Sequence, residues 1–235
     1  MSGGAQPFRR AKQIYQAEGL IPLVRRGFAF LGYRLLDYRT YYLYAAPIEE
    51  SLRVLDQSHT VPNVDDFSVK VVSSNDEADE LEAQGFKLRS QASDVGERLD
   101  KGAIAFCIFV QRELACVGWV ALTQEAMASL DEPPYKVDFA NHESCTGRYW
   151  TNPRYRGVGL APYASFNVFK FLHHKRTQVA RTAMRTCNIS SVRATERAGF
   201  KAYGECRYLR ILWWKSWKER PLTPDSGKEQ SNASD

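Results

Sequence analysis

The chain lacks most of the features that announce a specialised architecture. No apolar run reaches the ~18 residues of a membrane-spanning helix. Arg9, Arg10 and Lys12 interrupt the N-terminus where a signal peptide would carry its apolar core. The five cysteines, at positions 107, 116, 145, 187 and 206, are odd in number, far apart and without a Cys-x-x-Cys pair. That argues against a disulfide framework or a metal site and for a reduced, cytoplasmic compartment. No Gly-x-Ser-x-Gly element is present, so a serine-hydrolase reading has no support. Internal repeats are absent too.

What is there suffices for a packed core: 235 residues, 44% hydrophobic and 12% aromatic. The net charge of +5 is unevenly spread. Residues 147–220 carry sixteen Lys and Arg against three Glu, whereas residues 63–100 carry ten acids against four bases. The later half therefore attracts anions, and a phosphorylated small molecule, nucleic acid and an anionic membrane are all compatible with that balance.

Along the chain, residues 1–62 read as a basic, helical and aromatic N-terminal extension. The apolar series from Leu20 to Leu36 is roughly helical, and Tyr41-Tyr42-Leu43-Tyr44 favours a strand. The extension packs its apolar side on the main domain, or residues 1–46 make a weak contact with an anionic membrane or partner. The main domain is expected over 63–220. Strands are predicted at 67–72, 104–110, 115–120, 143–151 and 179–186, with a last strand or pair of strands over 201–214. Helices are predicted from 75, over 93–101, around Pro162 in a first turn with Tyr163, Phe166, Phe169 and Leu172 or His173 on one stripe, and over 190–198. Trp213, Trp214 and Trp217 are expected as aromatic core at the end of the last strand, with base stacking as the less favoured reading. Residues 221–235 form a polar tail with the composition of disorder.

The stretch with most chemical content is Arg156-Gly157-Val158-Gly159-Leu160-Ala161, which follows a strand and opens a helix. Unpaired N–H groups and the positive end of a helix suit a phosphate there. A dinucleotide fingerprint would need a third glycine and an acid about 20 residues on, but Pro162 takes the glycine place and residues 177–182 hold no acid. The Gly-Lys-Ser or Gly-Lys-Thr of a P-loop is missing as well.

About thirty residues on come Asn188-Ile189-Ser190-Ser191 and Glu196-Arg197-Ala198-Gly199-Phe200. With the glycine turn, this arrangement resembles the GNAT superfamily of acyl-CoA-dependent N-acyltransferases. Arg156, Gly159 and Ala161 meet the family's Arg/Gln-x-x-Gly-x-Gly/Ala pattern, and Asn188 and Gly199-Phe200 look like its next motif. The resemblance covers residues 67–213, specifically after residue 140. It implies an α/β fold, a mixed and mostly antiparallel sheet with helices on both faces, here preceded by the helical N-terminal extension. It also implies transfer of an acetyl group from acetyl-CoA to an amine acceptor within a ternary complex, with no nucleic acid involved. Residues Arg156, Gly157, Val158, Gly159, Leu160 and Ala161 would take the pyrophosphate. Trp150 and Thr151 would contact the pantetheine arm from one side and Asn188 from the other. Glu143, eight residues before Thr151 and on its face if the strand is regular, is the candidate base. Thr195 stands where many members carry an acidic tyrosine, with Tyr203 as a possible substitute. That departure leaves two alternatives in view, a CoA-binding module with reduced chemistry and a basic surface for nucleic acid or membrane.

Overall fold

The alternating apolar, β-branched and aromatic runs form strands, as their preference for a pleated surface dictates. The computed structural model describes residues 36–55, 61–90, 94–130 and 133–222. In chain order these hold β1 (Leu36–Pro47), α1 (Ile48–Val54), β2 (Phe67–Val72), α2 (Asn75–Ala83), α3 (Val95–Asp100), β3 (Ile104–Val110), β4 (Glu113–Ala121) and α4 (Gln124–Ser129). There follow β5 (Glu143–Thr151), α5 (Leu160–His174), β6 (Val179–Arg185), α6 (Ile189–Arg197), β7 (Lys201–Ile211) and β8 (Trp214–Pro221). The helical stretch expected before Leu36, and the tail beyond residue 222, lie outside the described residues.

The strands make one sheet in the order β2-β3-β4-β5-β6-β1-β7-β8. The pairs β1–β6, β2–β3, β3–β4 and β4–β5 are antiparallel, and β5–β6 is parallel. Two compact units divide the chain: Thr40–Cys206 with residues from 219 onward, and the stretch up to Arg39 with Arg207–Lys218. Everything described for the candidate site lies in the first.

Side-chain alternation sorts that unit into two layers of helices. On one face α5 packs Val168, Phe169 and Leu172 against Tyr44, Ala46, Phe106, Val120 and Ala180, joined by Phe200 and by Ile48 of α1. On the other face Phe86 packs edge-on against Phe109 with ring centroids 4.8 Å apart, and Arg98 of α3 lies 5.1 Å over the fully buried Trp119. Each large apolar side chain so enclosed contributes roughly 1.5–3 kcal/mol. The expected mixed, mostly antiparallel sheet with helices on both faces is thus observed.

Several local expectations need correction. The strand expected at Tyr41–Tyr44 is present within β1, but residues 36–47 belong to the sheet rather than to an extension ending at residue 62: β1 is seated between β6 and β7, and Tyr41 to Pro47 pair with Arg185 to Val179. The buried stripe of α5 is Leu160, Ala164, Val168, Phe169 and Leu172, with Tyr163 and Phe166 only partly buried. Trp213 and Trp214 are not core: they are 86% and 53% exposed. Two short helices, α1 and α4, escaped prediction because six or seven residues carry too few turns to display a 3.6-residue period.

Candidate functional site

The site begins where two parallel strands part. β5 and β6 are joined only by Glu143↔Val179, Ser144↔Ala180 and Cys145↔Arg181. Beyond Cys145, β5 pairs with β4 alone, and beyond Arg181, β6 pairs with β1 alone. The facing edges of residues 146–151 and 182–185 therefore border a wedge and present backbone amide and carbonyl groups to it. Ser144 and Thr182 flank the line of parting. They are 0% and 2% exposed, and their hydroxyls have no hydrogen-bond partner among the described residues. Buried hydroxyls are seldom left unpaired.

The glycine turn follows β5 at the open end of the wedge. Gly157 (φ 83°) and Gly159 (φ 87°) both take the left-handed conformation that residues with a Cβ rarely adopt, and Gly159 is the N-cap of the fifteen-residue α5. Among the described residues no backbone hydrogen bond uses the N–H of Gly157, Val158, Gly159, Leu160 or Ala161. Those donors, at the positive end of a long helix, suit an anion. The turn is braced from outside. The Asn152 side chain caps the N–H of Arg154 at 3.1 Å and donates to Glu113 at 3.2 Å, while Tyr155 Oη donates to the other Glu113 oxygen at 3.0 Å. Asn63 N–H adds a bond to the Val158 carbonyl at 2.8 Å. Exposed Arg156 folds back, its Nε 3.4 Å from the Thr151 carbonyl.

Asn188 sits at the end of β6, on the other lip. Its side chain caps α6, accepting from Ser191 N–H at 3.3 Å and from Ser190 Oγ at 3.0 Å. Thr195 is buried in α6, and its carbonyl accepts from Phe200 N–H at 3.3 Å. Gly199, at φ 87°, abuts α1 so closely that a Cβ there would stand 3.0 Å from Ser51 Oγ.

β5 is not regular. Between the pairs Val117↔Trp150 and Trp119↔Gly147, β4 supplies Gly118 alone while β5 supplies Arg148 and Tyr149, with Arg148 at φ 51°. This is a bulge, and it inverts side-chain alternation beyond it. Glu143 therefore shares its face with Cys145, Gly147 and Trp150, while Thr151 falls on the opposite face, its Oγ1 3.5 Å from Cys116 Sγ. The expectation that Glu143 and Thr151 share a face is overturned by that one inserted residue.

On the Glu143 face, at the apex of the wedge, a four-residue network forms. Arg181 clamps Glu143 through Nε–Oε2 at 2.6 Å and Nη2–Oε1 at 2.5 Å, and Asp138 N–H donates to Oε2 at 2.8 Å. The Arg181 guanidinium also lies 5.1 Å over the ring of Tyr203. Burial would raise the Glu143 pKa, but the hydrogen bonds from Arg181 and Asp138 and the guanidinium charge hold it below the ordinary carboxylate range. For Tyr203, desolvation pushes the phenol above its usual value, with Glu219 and Glu143 pushing the same way and Arg181 opposing. Sequence reasoning singled out Glu143 and Tyr203 but missed Arg181, which joins them across β1, and missed Glu113, read only as part of a hairpin link. Thr182 gave no signal, because only strand pairing reveals that it borders a gap. Among the described residues no cluster of His, Cys, Asp or Glu could hold a metal ion.

No family model matches the chain, and no curated protein matches it. Solved structures do. A conserved protein of unknown function from Staphylococcus epidermidis is similar at 12% identity and TM-score 0.48, with 83% of this chain and 69% of that one covered. A tandem GNAT protein from the clavulanic acid biosynthesis pathway is similar at 14% identity and TM-score 0.47, covering 80% of this chain but only 55% of that one. A GCN5-related N-acetyltransferase from Kribbella flavida is similar at 13% identity and TM-score 0.45, covering 84% and 65%. At such identities and TM-scores these likenesses carry no argument about what the chain does.

Proposed function

We propose that the protein is an acyl-CoA-dependent N-acyltransferase of the GNAT superfamily, moving an acetyl group from acetyl-CoA to an amine. The observation that carries this reading is the wedge: two parallel strands that separate after three paired residues, with anion-ready glycine N–H groups at its open end. A pantetheine arm is an extended chain with two amides. It fits the unpaired edges of Gly147–Thr151 and Thr182–Arg185 as an added strand would, with main-chain hydrogen bonds on both sides. The diphosphate fits the N–H groups of Gly157 to Ala161 without side-chain help, and Arg156 adds charge. Trp150, Thr151 and Asn188 border the same path, and the unpartnered Thr182 hydroxyl lies where β6 leaves β5.

When bound, the thioester supplies the electrophilic carbonyl carbon. The chain must then hold a neutral amine, polarise the carbonyl oxygen and return a proton to the departing thiolate. Thr195 is a poor donor, since an aliphatic hydroxyl is far less acidic than a phenol. Tyr203, kept protonated by its raised pKa and oriented by Arg181, is the better candidate in this chain. Glu143 is the site's carboxylate, but with both oxygens engaged and its pKa lowered it serves by fixing Arg181 rather than as a free base. The acceptor is an amine of a sugar, a small metabolite or a protein.

The test combines binding and turnover. Acetyl-CoA at millimolar concentration should raise the melting temperature, and an amine panel should release free CoA thiol. Charge reversal at Arg156 or Gly159→Trp should diminish the thermal shift. The absence of any shift would sink the cofactor assignment, whereas a shift without thiol release from any amine would leave a CoA-binding module.

A further inference from the structure

The β7–β8 hairpin ends in Ile211, Leu212, Trp213 and Trp214, which are 42%, 47%, 86% and 53% exposed. Four consecutive apolar residues at one tip are unusual on a surface that has no use for them. The turn itself is made of Leu212 and Trp213, where hairpins ordinarily place glycine, asparagine or aspartate. Leu212 adopts φ 56°, a conformation that costs a branched, bulky residue and would cost glycine nothing. Favourable turn chemistry is forgone and two large apolar side chains stand outward in its place, so the strain points to a role for the tip.

The charge flanking it in sequence is basic, although Arg210 Nη2 lies 3.8 Å from Asp37 Oδ2. Arg207, Arg210, Lys215 and Lys218 flank the tip, and residues 206–218 contain no acid. Indole rings favour the boundary between headgroups and acyl chains, where an apolar body and a polar N–H are both satisfied. Basic side chains near that boundary gain from anionic lipid, by about five-fold in affinity for each charge. Nucleic acid would use the two rings as stacking platforms but gains nothing from Ile211 and Leu212. A narrow hairpin tip also offers no groove to track a phosphate backbone.

We propose that the tip formed by Ile211–Trp214 inserts shallowly into an anionic lipid surface, with the flanking lysines and arginines resting on its headgroups. This inference is independent of the acyltransferase reading and extends to a part of the chain that reading does not use.

The experiment is co-sedimentation of the full chain with vesicles of phosphatidylcholine alone and with about 30 mol% phosphatidylserine. The chain is expected to pellet with the anionic vesicles, to remain in solution with the neutral ones, and to be released by raised salt. The variant Leu212→Gly/Trp213→Asn gives the turn the residues its geometry favours. It should melt at or above the parent temperature while its vesicle partition falls at least ten-fold. A second variant, Lys215→Glu/Lys218→Glu, should also lose anionic partition while leaving the apolar tip in place. The proposal is overturned if the parent chain ignores both vesicle types, or if the turn variant partitions as the parent does. It is overturned equally if that variant melts well below the parent, since the tip is then packed within the chain. Loss of single-stranded DNA retention by the turn variant, with no vesicle binding by the parent, would reassign the tip to nucleic acid.

Discussion

Gly157 and Gly159 share a backbone conformation but not a neighbourhood, and that separates two effects. A Cβ at Gly157 meets nothing within 4 Å, whereas at Gly159 it stands 3.5 Å from Pro62 Cα. Alanine at either position should cost about 1–2 kcal/mol from the left-handed φ alone, measurable by denaturant unfolding. Only larger residues at 159 should lose additional stability. Glu143 offers a test in pH. Its folded pKa is depressed, so the stability it contributes is fully present above the unfolded value of about 4.3 and is lost as pH falls through the lower, folded value. Glu143→Gln should therefore destabilise the protein near neutrality by about 1–3 kcal/mol, because Arg181 loses its partner, and should flatten the acid limb of the stability profile. A parallel acid limb in the variant would show that the carboxylate titrates unperturbed. For Tyr203, phenylalanine should leave the acetyl-CoA dissociation constant unchanged and lower kcat by about 100-fold if the phenol is the proton donor. A comparable loss in binding would assign it to positioning instead.

The wedge between β5 and β6 and the bulge in β5 are properties of elements. Hydrogen exchange should locate the first: CoA should slow exchange of amides in residues 146–151 and 157–161, while β3, paired on both sides, stays as it was. The bulge depends on Gly118, where a Cβ would come within 2.4 Å of the Tyr149 ring. Gly118→Ala should cost about 1–3 kcal/mol by overpacking and shift the near-ultraviolet circular dichroism of the aromatic residues. How much of this could be read in the chain depended on range. β3, β5 and the glycine turn were legible because their signals are local: alternation, residue type, and paired glycines before a helical stripe. The bulge was not, since Arg148 and Tyr149 are ordinary strand residues and the cause sits in a different strand, at Gly118. The partners of Glu143 were hidden for the same reason: Arg181 is 38 residues away, and β1 and β7 meet that region only through sheet order. The two-residue turn at 212–213 carries none of the usual turn residues, so the sequence leaves one strand or a pair of strands open over 201–214.

For the whole molecule, the placement of β1 decides which pieces can stand alone. A fragment of residues 63–222 contains the entire domain that composition suggests, yet it would leave the edges of β6 and β7 that face β1 without a partner. It should be recovered as aggregate, because unpaired central edges template association. Co-expression with residues 1–62 should restore a soluble complex, and a fragment soluble and cooperative on its own would refute the argument. The same placement governs the order of events during synthesis. Tyr41 pairs with Arg185, and the hydroxyls of Thr40 and Thr186 lie 2.5 Å apart, so the earliest described strand finds its β6 partner only after more than 140 further residues have been made. Contacts of such long separation form late, and folding here should be slow beside that of a helical protein of equal length. Until then β1 is an aromatic segment in waiting, and its capture is the step at which the nascent chain commits to one sheet.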